Sequence, residues 1–248
     1  MSLLSLKGVS LYYHSVKGET QALSDVSFSV NEGEFLGIVG PSGSGKTTIL
    51  SLIAGIFPPS SGTITFDGEK KRTGYMLQRD HLFEWRTIEQ NVLLGLEIEG
   101  KLNAKTRRDA VRLLEKYGLG EFKKRHPSEL SGGMRQRVAL IRTLVTNPDI
   151  LLLDEPFSAL DFVTRLSVVN DVFSIIKSEG KTAILVTHDI SEAISMCDRI
   201  VMLTARPARV KRIFETGFSR ELPIKRRESE RFSKQFEKIW REMEDACT

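Results

Sequence analysis

The chain has 248 residues, of which 40% are hydrophobic and 27% charged, and its formal net charge is +4. This balance excludes a disordered or fibrous protein and predicts one large α/β domain with room for a small inserted subdomain. No apolar run approaches the ~18 residues of a membrane-spanning helix, and residues 1–7 lack the basic start and apolar stretch of a secretion signal.

Residues 3–35 alternate between apolar and polar side chains, which predicts a small antiparallel sheet. Tyr12 and Tyr13 are predicted to fall between its strands. The alternating apolar positions are Leu4, Leu6, Val9, Val26, Phe28 and Val30.

A glycine-rich stretch follows a buried strand predicted over 35–39 and precedes a segment with helical spacing. Its backbone N–H groups can wrap a triphosphate, because glycine tolerates positive φ and close approach. Lys46 would reach the β- and γ-phosphates, and the Thr47 hydroxyl would ligate Mg²⁺. A nucleoside triphosphate with Mg²⁺ is therefore the expected ligand. The predicted binding residues are Gly40, Pro41, Ser42, Gly43, Ser44, Gly45, Lys46, Thr47 and Thr48.

Two residues outside this loop are candidates for the same nucleotide. The Tyr13 ring can stack on adenine and gain about 0.5–1.5 kcal/mol beyond simple burial, with cross-strand packing as the alternative. Gln78 ends the strand predicted over 74–78, where parallel strands place their ligands. It can therefore contact Mg²⁺ or the water that attacks the γ-phosphate.

Residues 79–130 have helical spacing, which predicts a helical insertion in the α/β core. The insertion begins with Phe83, Trp85 and Arg86 on a predicted surface loop. Exposed aromatic residues beside arginine are enriched in protein interfaces. This cluster is therefore a candidate docking surface, with packing inside the insertion as the alternative.

A second anion site is predicted at the start of a helix that runs to about residue 146. Ser131 can cap this helix, and Gly132 and Gly133 leave its N-terminal amides uncovered. A capping serine with flanking glycines is usually structural. A P-loop and a further anion site in one chain therefore raise the question of what the second site binds.

Two further strands bring titratable side chains to the predicted site. The apolar run 150–153 leads to Asp154, which would hold Mg²⁺, and Glu155, which would polarise the attacking water. The run 182–187 leads to His188, which can hydrogen-bond the γ-phosphate, although an isolated histidine is more often structural. Between these strands, a helix is predicted over 162–178.

The remaining sequence features, which are the cysteines, the basic runs and the C-terminal segment, indicate cellular location and packing, and they do not indicate catalytic chemistry. Cys197 and Cys247 fit no metal-ligand spacing, which predicts a reducing cytoplasm, no disulfide and a buried Cys197. The basic runs at 206–212 and 225–227 predict solvated faces, with anionic lipid or a partner as the alternative, and do not indicate nucleic-acid binding. Residues 228–243 predict an amphipathic helix that packs on the core. Its apolar residues are Phe232, Phe236, Ile239, Trp240 and Met243.

These segments together resemble the ATP-binding cassette ATPases in identity, order and spacing over about residues 3–210. The most specific of them is the signature segment 130–136, because other P-loop proteins do not carry it. The matching segments are 40–48, Gln78, 130–136, 151–155, 158–161 and His188.

The resemblance implies an α/β fold, with a P-loop NTPase (RecA-like) core, an N-terminal antiparallel β subdomain and an inserted α-helical subdomain. The expected boundaries are 1–78 and 135–210 for the core, 79–134 for the helical subdomain and 211–248 for a C-terminal helical tail.

The resemblance also implies that two copies face each other head to tail, each ATP lying between one P-loop and the partner's signature helix. Ser131, Gly132 and Gly133 would then contact the nucleotide that the other copy holds, and Asp161 would link the two sites. ATP would close the dimer, and hydrolysis at Glu155 would release it.

A further implication is a peripheral subunit on the cytoplasmic face of the cell membrane. Phe83, Trp85 and Arg86 would dock on separate permease subunits. An extracytoplasmic solute-binding protein would deliver the solute to those subunits. Segment 82–87 is similar to a pattern of nitrate, taurine and aliphatic sulfonate importers, from which Phe83 and Glu84 depart.

Two other functions remain as alternatives. One is a non-transport cassette that acts on nucleic acid or ribosomes, which a single cassette without zinc cysteines or a long coiled-coil insertion disfavours. The other is a P-loop small-molecule kinase, which would leave segment 130–136 and His188 unexplained.

Overall fold

The computed structural model describes residues 2–16, 18–68, 72–218 and 221–247, apart from the side chains of residues 246 and 247. Its strands are β1 (Ser2–Ser15), β2 (Gly18–Asn31), β3 (Phe35–Val39), β4 (Ser61–Phe66), β5 (Thr73–Met76), β6 (Ile150–Asp154), β7 (Thr182–Val186), β8 (Arg199–Leu203) and β9 (Val210–Glu215). Its α-helices are α1 (Lys46–Ile53), α2 (Ile88–Ile98), α3 (Ala104–Lys116), α4 (Gly132–Leu144), α5 (Phe162–Ser178), α6 (Ile190–Met196), α7 (Pro223–Arg227) and α8 (Glu230–Cys247).

The N-terminal strands form the predicted antiparallel sheet, with β1 between β2 and β4. Leu4 and Leu6 are buried beneath it, which confirms the alternating pattern. The prediction that Tyr12 and Tyr13 fall between strands is wrong, because both lie inside β1. Shifts of register against β2 allow this strand to continue to Ser15 without ending at the tyrosines.

The second sheet has the order β5-β6-β7-β3-β8-β9, in which only β9 runs antiparallel to its neighbour. Strands β3, β6 and β7 are buried at every position, as their continuous apolar runs predicted. Because these three strands are parallel neighbours, the segments that follow them leave the sheet at one edge. This edge carries the residues of the candidate site.

Helices α2, α3 and α4 enclose a separate apolar cluster that includes Leu82, Ile88, Leu114 and Ile141. The helical character predicted for residues 79–130 is confirmed by α2 and α3. α4 follows the insertion and also packs on α5. The signature segment therefore lies where the helical insertion joins the α/β core.

The segment after residue 210 first adds β9 to the core sheet and then forms α7 and α8. Ile239 of α8 is fully buried in the main core cluster, with Phe232, Phe236 and Met243 packed against that cluster. This contact confirms that the amphipathic face packs on the core. Trp240 alone of the predicted apolar face remains half-exposed.

One basic residue of the tail is not solvated, contrary to the prediction for 225–227. Arg226 is buried because its guanidinium lies 4.9 Å from the ring centroid of Phe173 and donates to the Cys197 carbonyl at 3.4 Å. Cys197 is itself buried, as predicted, and burial raises the pKa of its thiol well above the ordinary value. The Cys247 side chain lies outside the described part of the chain.

Among the described residues, none of the helices has both the length and the apolar character needed to cross a membrane.

Candidate functional site

The glycine-rich loop after β3 has the conformation that its sequence predicts. Gly43 and Gly45 have φ of 76° and 82°, a region that favours glycine, and α1 begins directly afterwards at Lys46. The Lys46 ammonium donates to the carbonyls of Gly40 at 2.9 Å and Pro41 at 3.0 Å. The loop thus curls around its own lysine at the N-terminus of a helix, an arrangement that binds phosphates.

Burial shifts the pKa values of two charged side chains at the base of this loop, Lys46 and Asp154. Burial lowers the pKa of Lys46, and the nearby Glu155 and Asp154 carboxylates oppose that shift. Burial likewise raises the pKa of Asp154, against the hydrogen bonds that it accepts from Thr47 and Tyr75. Both shifts come mainly from burial, so the site is partly desolvated, and electrostatic interactions there are stronger than in water.

Asp154 is anchored by two hydroxyl groups. Thr47 Oγ1 donates to Asp154 Oδ1 at 3.0 Å, and the Tyr75 hydroxyl donates to Oδ2 at 3.2 Å. The structure thus brings together two of the predicted Mg²⁺ ligands, Thr47 and Asp154. A hydroxyl and a carboxylate oxygen suit Mg²⁺, which prefers oxygen and takes few protein ligands beside phosphates. Among the described residues, no group of three His, Cys, Asp or Glu side chains suggests another kind of metal site.

Glu155 lies at the centre of a second group of predicted residues. His188 Nδ1 is 3.1 Å and Gln78 Nε2 is 3.5 Å from Glu155 Oε2. Gln78 Nε2 is also 3.3 Å from Ser158 Oγ. Glu155 has φ of 44°, an uncommon value for a side chain of its kind that costs of order 1–3 kcal/mol and is typical of functional sites.

A cavity of about 530 Å³ opens between these two groups. Its lining residues are Ser42, Gly43, Gly45, Lys46, Thr47, Thr48, Glu155, His188 and Arg206. The predicted loop residues Gly40, Pro41 and Ser44 are not among them, because the carbonyls of Gly40 and Pro41 accept from Lys46 and Ser44 is fully buried.

Two residues of the site were not predicted. Tyr75 holds Asp154 from the neighbouring strand, and a tyrosine within the apolar run 74–77 was the available signal. Arg206 lines the cavity, although its place in a basic run had indicated a solvated face. Only the pairing of β8 with β3 brings Arg206 beside the glycine-rich loop.

Tyr13 lies near the loop without lining the cavity. Its hydroxyl is 3.1 Å from Thr48 Oγ1, and its ring meets the Phe57 ring edge-on at 6.3 Å between centroids. Its side chain is partly exposed. This geometry fits both stacking on adenine and packing beside α1.

The signature segment opens α4 as predicted. Ser131 caps the helix by accepting a hydrogen bond from the Met134 amide at 3.3 Å, and it is exposed. Gly132 is half-buried, and Gly133 is buried against α5. A Cβ atom at Gly133 would lie 2.6 Å from Val168 Cγ2, so close packing alone already requires glycine there.

Asp161, exposed, caps α5 by accepting from the amides of Val163 at 3.1 Å and Thr164 at 3.0 Å. A hydrogen bond from the Thr164 side chain, together with these amide bonds, holds the pKa of Asp161 below its ordinary value. Arg165, on the same helix, donates to the Leu160 carbonyl at 2.9 Å. The loop before α5 is therefore held in one conformation.

A buried carboxylate supports the loop that carries His188. Glu192 is 3% exposed and accepts a hydrogen bond from Thr187 Oγ1 at 2.7 Å. Arg165 Nη1 lies 3.8 Å from both Glu192 Oε1 and Asp189 Oδ2. Burial raises the pKa of Glu192, the Thr187 hydrogen bond opposes that shift, and the Asp189 carboxylate adds to it.

The predicted docking loop precedes α2. Phe83 and Trp85 stack with ring centroids 4.7 Å apart, and Trp85 is 74% exposed. Arg86 donates to Glu97 at 2.6 Å. The buried Asn91 amide donates to the carbonyls of Phe83 at 3.0 Å and Arg86 at 3.1 Å, so the loop is held firmly while its tryptophan faces outward.

A glycine-rich loop after a parallel strand, with a carboxylate pair and a histidine at the same sheet edge, defines a P-loop nucleoside triphosphatase. The chain also matches the family model described as ABC transporter over residues 23–158. It therefore belongs to the ABC transporter family and is an ATP-binding cassette ATPase.

Relatives extend this likeness over nearly the whole chain. An uncharacterized ABC transporter ATP-binding protein of Bacillus subtilis, YtlC, is 47% identical over 98% of this chain and 96% of its own length. The aliphatic sulfonates import ATP-binding protein SsuB of Bacillus cereus is 37% identical over 97% of this chain and 96% of its own length. The resemblance to sulfonate importers stated from the sequence is thus confirmed.

The fold also matches solved cassettes. The dimeric structure of a post-hydrolysis state of the ATP-binding cassette MJ0796, bound to ADP and Pi, has a TM-score of 0.72 and 32% identity to this chain. The match covers 87% of this chain and 100% of that one. The fold class predicted from the sequence is confirmed.

Proposed function

We propose that this chain is the ATP-hydrolysing subunit of an importer that takes up a small nitrate-, sulfonate- or taurine-like solute through separate membrane subunits. The observation that carries the proposal is the outward-facing Trp85 on a firmly held loop, beside a site equipped for ATP hydrolysis. A sulfonate import protein that is 37% identical over nearly the full length of both chains supports the solute class.

Each group of predicted nucleotide-binding residues has a role in this proposal. Lys46 and the amides of 42–48 bind the phosphates, and Tyr13 stacks on adenine. Thr47 and Asp154 would hold Mg²⁺, which would neutralise the negative charge that develops on the phosphates. Tyr75 orients Asp154 for this task through its hydrogen bond.

Hydrolysis requires a water in line with the bond between the γ-phosphorus and the ADP oxygen. Glu155 accepts a proton from this water as its oxygen attacks phosphorus and the bond to ADP breaks. His188 holds Glu155 at 3.1 Å and contacts the γ-phosphate, while Gln78 would contact Mg²⁺ or the attacking water. Loss of the γ-phosphate then removes these contacts.

A second copy of the chain completes the nucleotide site. Ser131 is exposed at the N-terminus of α4, so its hydroxyl and the amides of Gly132 and Gly133 can reach a γ-phosphate that the partner copy holds. Asp161 is exposed at the start of α5 and links the two sites. The dimeric cassette with ADP and Pi supports this arrangement.

The subunit works at the cytoplasmic face of the cell membrane. Phe83, Trp85 and Arg86 dock on the permease, and an extracytoplasmic solute-binding protein delivers the solute to that permease. Nucleic acid is not a partner in this proposal. The competing function, a non-transport cassette acting on nucleic acid or ribosomes, provides no use for Trp85.

The test is co-expression of the tagged chain with candidate permease subunits from its source organism, followed by affinity capture from solubilised membranes. We expect the W85A variant to lose most of the captured permease and to keep the ATPase activity of the isolated chain. W240A is the matched control, because it removes another exposed tryptophan from a distant helix.

Uptake of radiolabelled taurine, alkanesulfonate and nitrate into proteoliposomes that contain the captured complex identifies the solute. Unchanged permease capture by W85A, or recovery of ribosomal RNA in place of permease, would contradict the proposal.

A further inference from the structure

Arg206 lines the nucleotide cavity but is not among the residues predicted to bind or hydrolyse ATP. It belongs to the loop between β8 and β9, and β8 is the parallel neighbour of β3. The carboxyl ends of these two strands meet at the same sheet edge, so the loop after β8 lies beside the glycine-rich loop after β3.

The contacts of Arg206 attach it to that loop. Its Nη2 and Nε donate to the Gly43 carbonyl at 3.1 and 3.3 Å. The residue is exposed, and it lines the same cavity as Lys46, Glu155 and His188. Its guanidinium is thus positioned by the backbone of the phosphate-binding loop while it faces the cavity.

The charges around the cavity explain why a second cation at Arg206 would favour ATP binding. The carboxylates of Asp154 and Glu155 lie near the Lys46 ammonium and offset its positive charge. A triphosphate adds several negative charges to this site. A guanidinium has five N–H donors in a planar fork that suits phosphate oxygens, and the contacts with Gly43 use only part of that fork.

We propose that Arg206 is a nucleotide-binding residue whose guanidinium, held in place by the Gly43 carbonyl, attracts the phosphate chain of ATP. It deepens the nucleotide site described above and does not depend on the importer assignment. The competing role is purely structural: Arg206 would hold the glycine-rich loop in shape without acting on the ligand.

Variants at two neighbouring arginines separate these roles. R206Q removes the charge, R206K keeps it but loses the fork, and R209Q is the matched control. Arg209 lies in the same loop, is exposed and does not line the cavity. The dissociation constant for Mg-ATP is measured by isothermal titration calorimetry on the intact chain, and nucleotide-free thermal unfolding is measured in parallel.

We expect R206Q to weaken ATP binding by about tenfold, the ratio that one charge-assisted hydrogen bond supplies. R206K should recover most of the affinity, R209Q should bind as the unmutated chain does, and the nucleotide-free Tm should not change in any of them. The loss in R206Q should also shrink as salt is raised, because added ions screen an exposed charge.

Unchanged affinity in R206Q would overturn the proposal. So would R206K binding as weakly as R206Q, or a weakened R206Q with a lowered nucleotide-free Tm, because these results indicate a loop support only. Since binding is measured without a permease, failure of the importer assignment leaves these outcomes unaffected.

Discussion

Glu192 places a carboxylate in a site that is 3% exposed, directly behind the loop that carries His188. Burial raises its pKa above the ordinary value of 4.5. The folded chain therefore keeps this proton at pH values where the unfolded chain has released it. The contribution of Glu192 to folding stability is largest below its unfolded pKa and falls as the pH rises through its folded pKa.

We predict that E192Q becomes more stable relative to the unmutated chain as the pH rises from about 5 to about 8, because glutamine keeps an acceptor for Thr187 but never ionises. Urea unfolding of both proteins across this range measures the difference. E237Q, at a position whose side chain is 71% exposed, is the control and should show no such trend. A difference that is constant with pH would refute the role of burial.

At the scale of the packed elements, α4 and α5 are in close contact at Gly133. An alanine Cβ there would lie 2.6 Å from Val168 Cγ2 and 3.2 Å from Thr164 Cγ2. The exposed cap Ser131 lies two residues before this contact. The position of the signature segment on the surface is thus coupled to the packing of its helix.

We predict that G133A lowers the free energy of unfolding by about 1–3 kcal/mol, the usual cost of overpacking, although alanine is the better helix former. V168A should reduce this cost by removing the methyl group that the new Cβ meets. Urea unfolding of the two single variants and the double variant gives the coupling energy. If the two changes in unfolding free energy are strictly additive, the overlap between the new Cβ and Val168 is relieved elsewhere, and the prediction is contradicted.

At the scale of the whole molecule, the exposed Ser131 and the Lys46 cavity form two halves of the proposed dimeric site. In the proposed mechanism, Glu155 acts on the attacking water and is not needed to bind phosphate. We predict that E155Q binds Mg-ATP, hydrolyses it about 10²-fold more slowly or worse, and accumulates as a dimer. Light scattering after size exclusion, together with phosphate release, measures both effects.

The matched variant combines E155Q with S131R. The bulky, charged arginine blocks the exposed N-terminus of α4 and does not touch the Lys46 cavity of the same copy. It should bind ATP and remain monomeric. A monomeric E155Q at saturating Mg-ATP, or turnover at the unmutated rate, would contradict the shared site.

Much of the fold could be predicted because, in most elements, the local sequence pattern favours the same structure as the tertiary packing. The continuous apolar runs of β3, β6 and β7 suit only strands buried on both faces, and the cap Asp161 starts α5 where predicted. The course of β1 through Tyr13 could not be read, because its register shifts depend on pairing with β2.

The sequence by itself determined the phosphate-binding chemistry, since glycines, Lys46 and Thr47 at their spacing form a loop whose properties are local. It also determined which side chains follow the core strands, Asp154, Glu155 and His188 among them. Only the tertiary structure decided the neighbours of these side chains. Sheet order, a property of long-range pairing, brings Tyr75 to Asp154 and Arg206 to Gly43, and no spacing along the chain encodes those contacts.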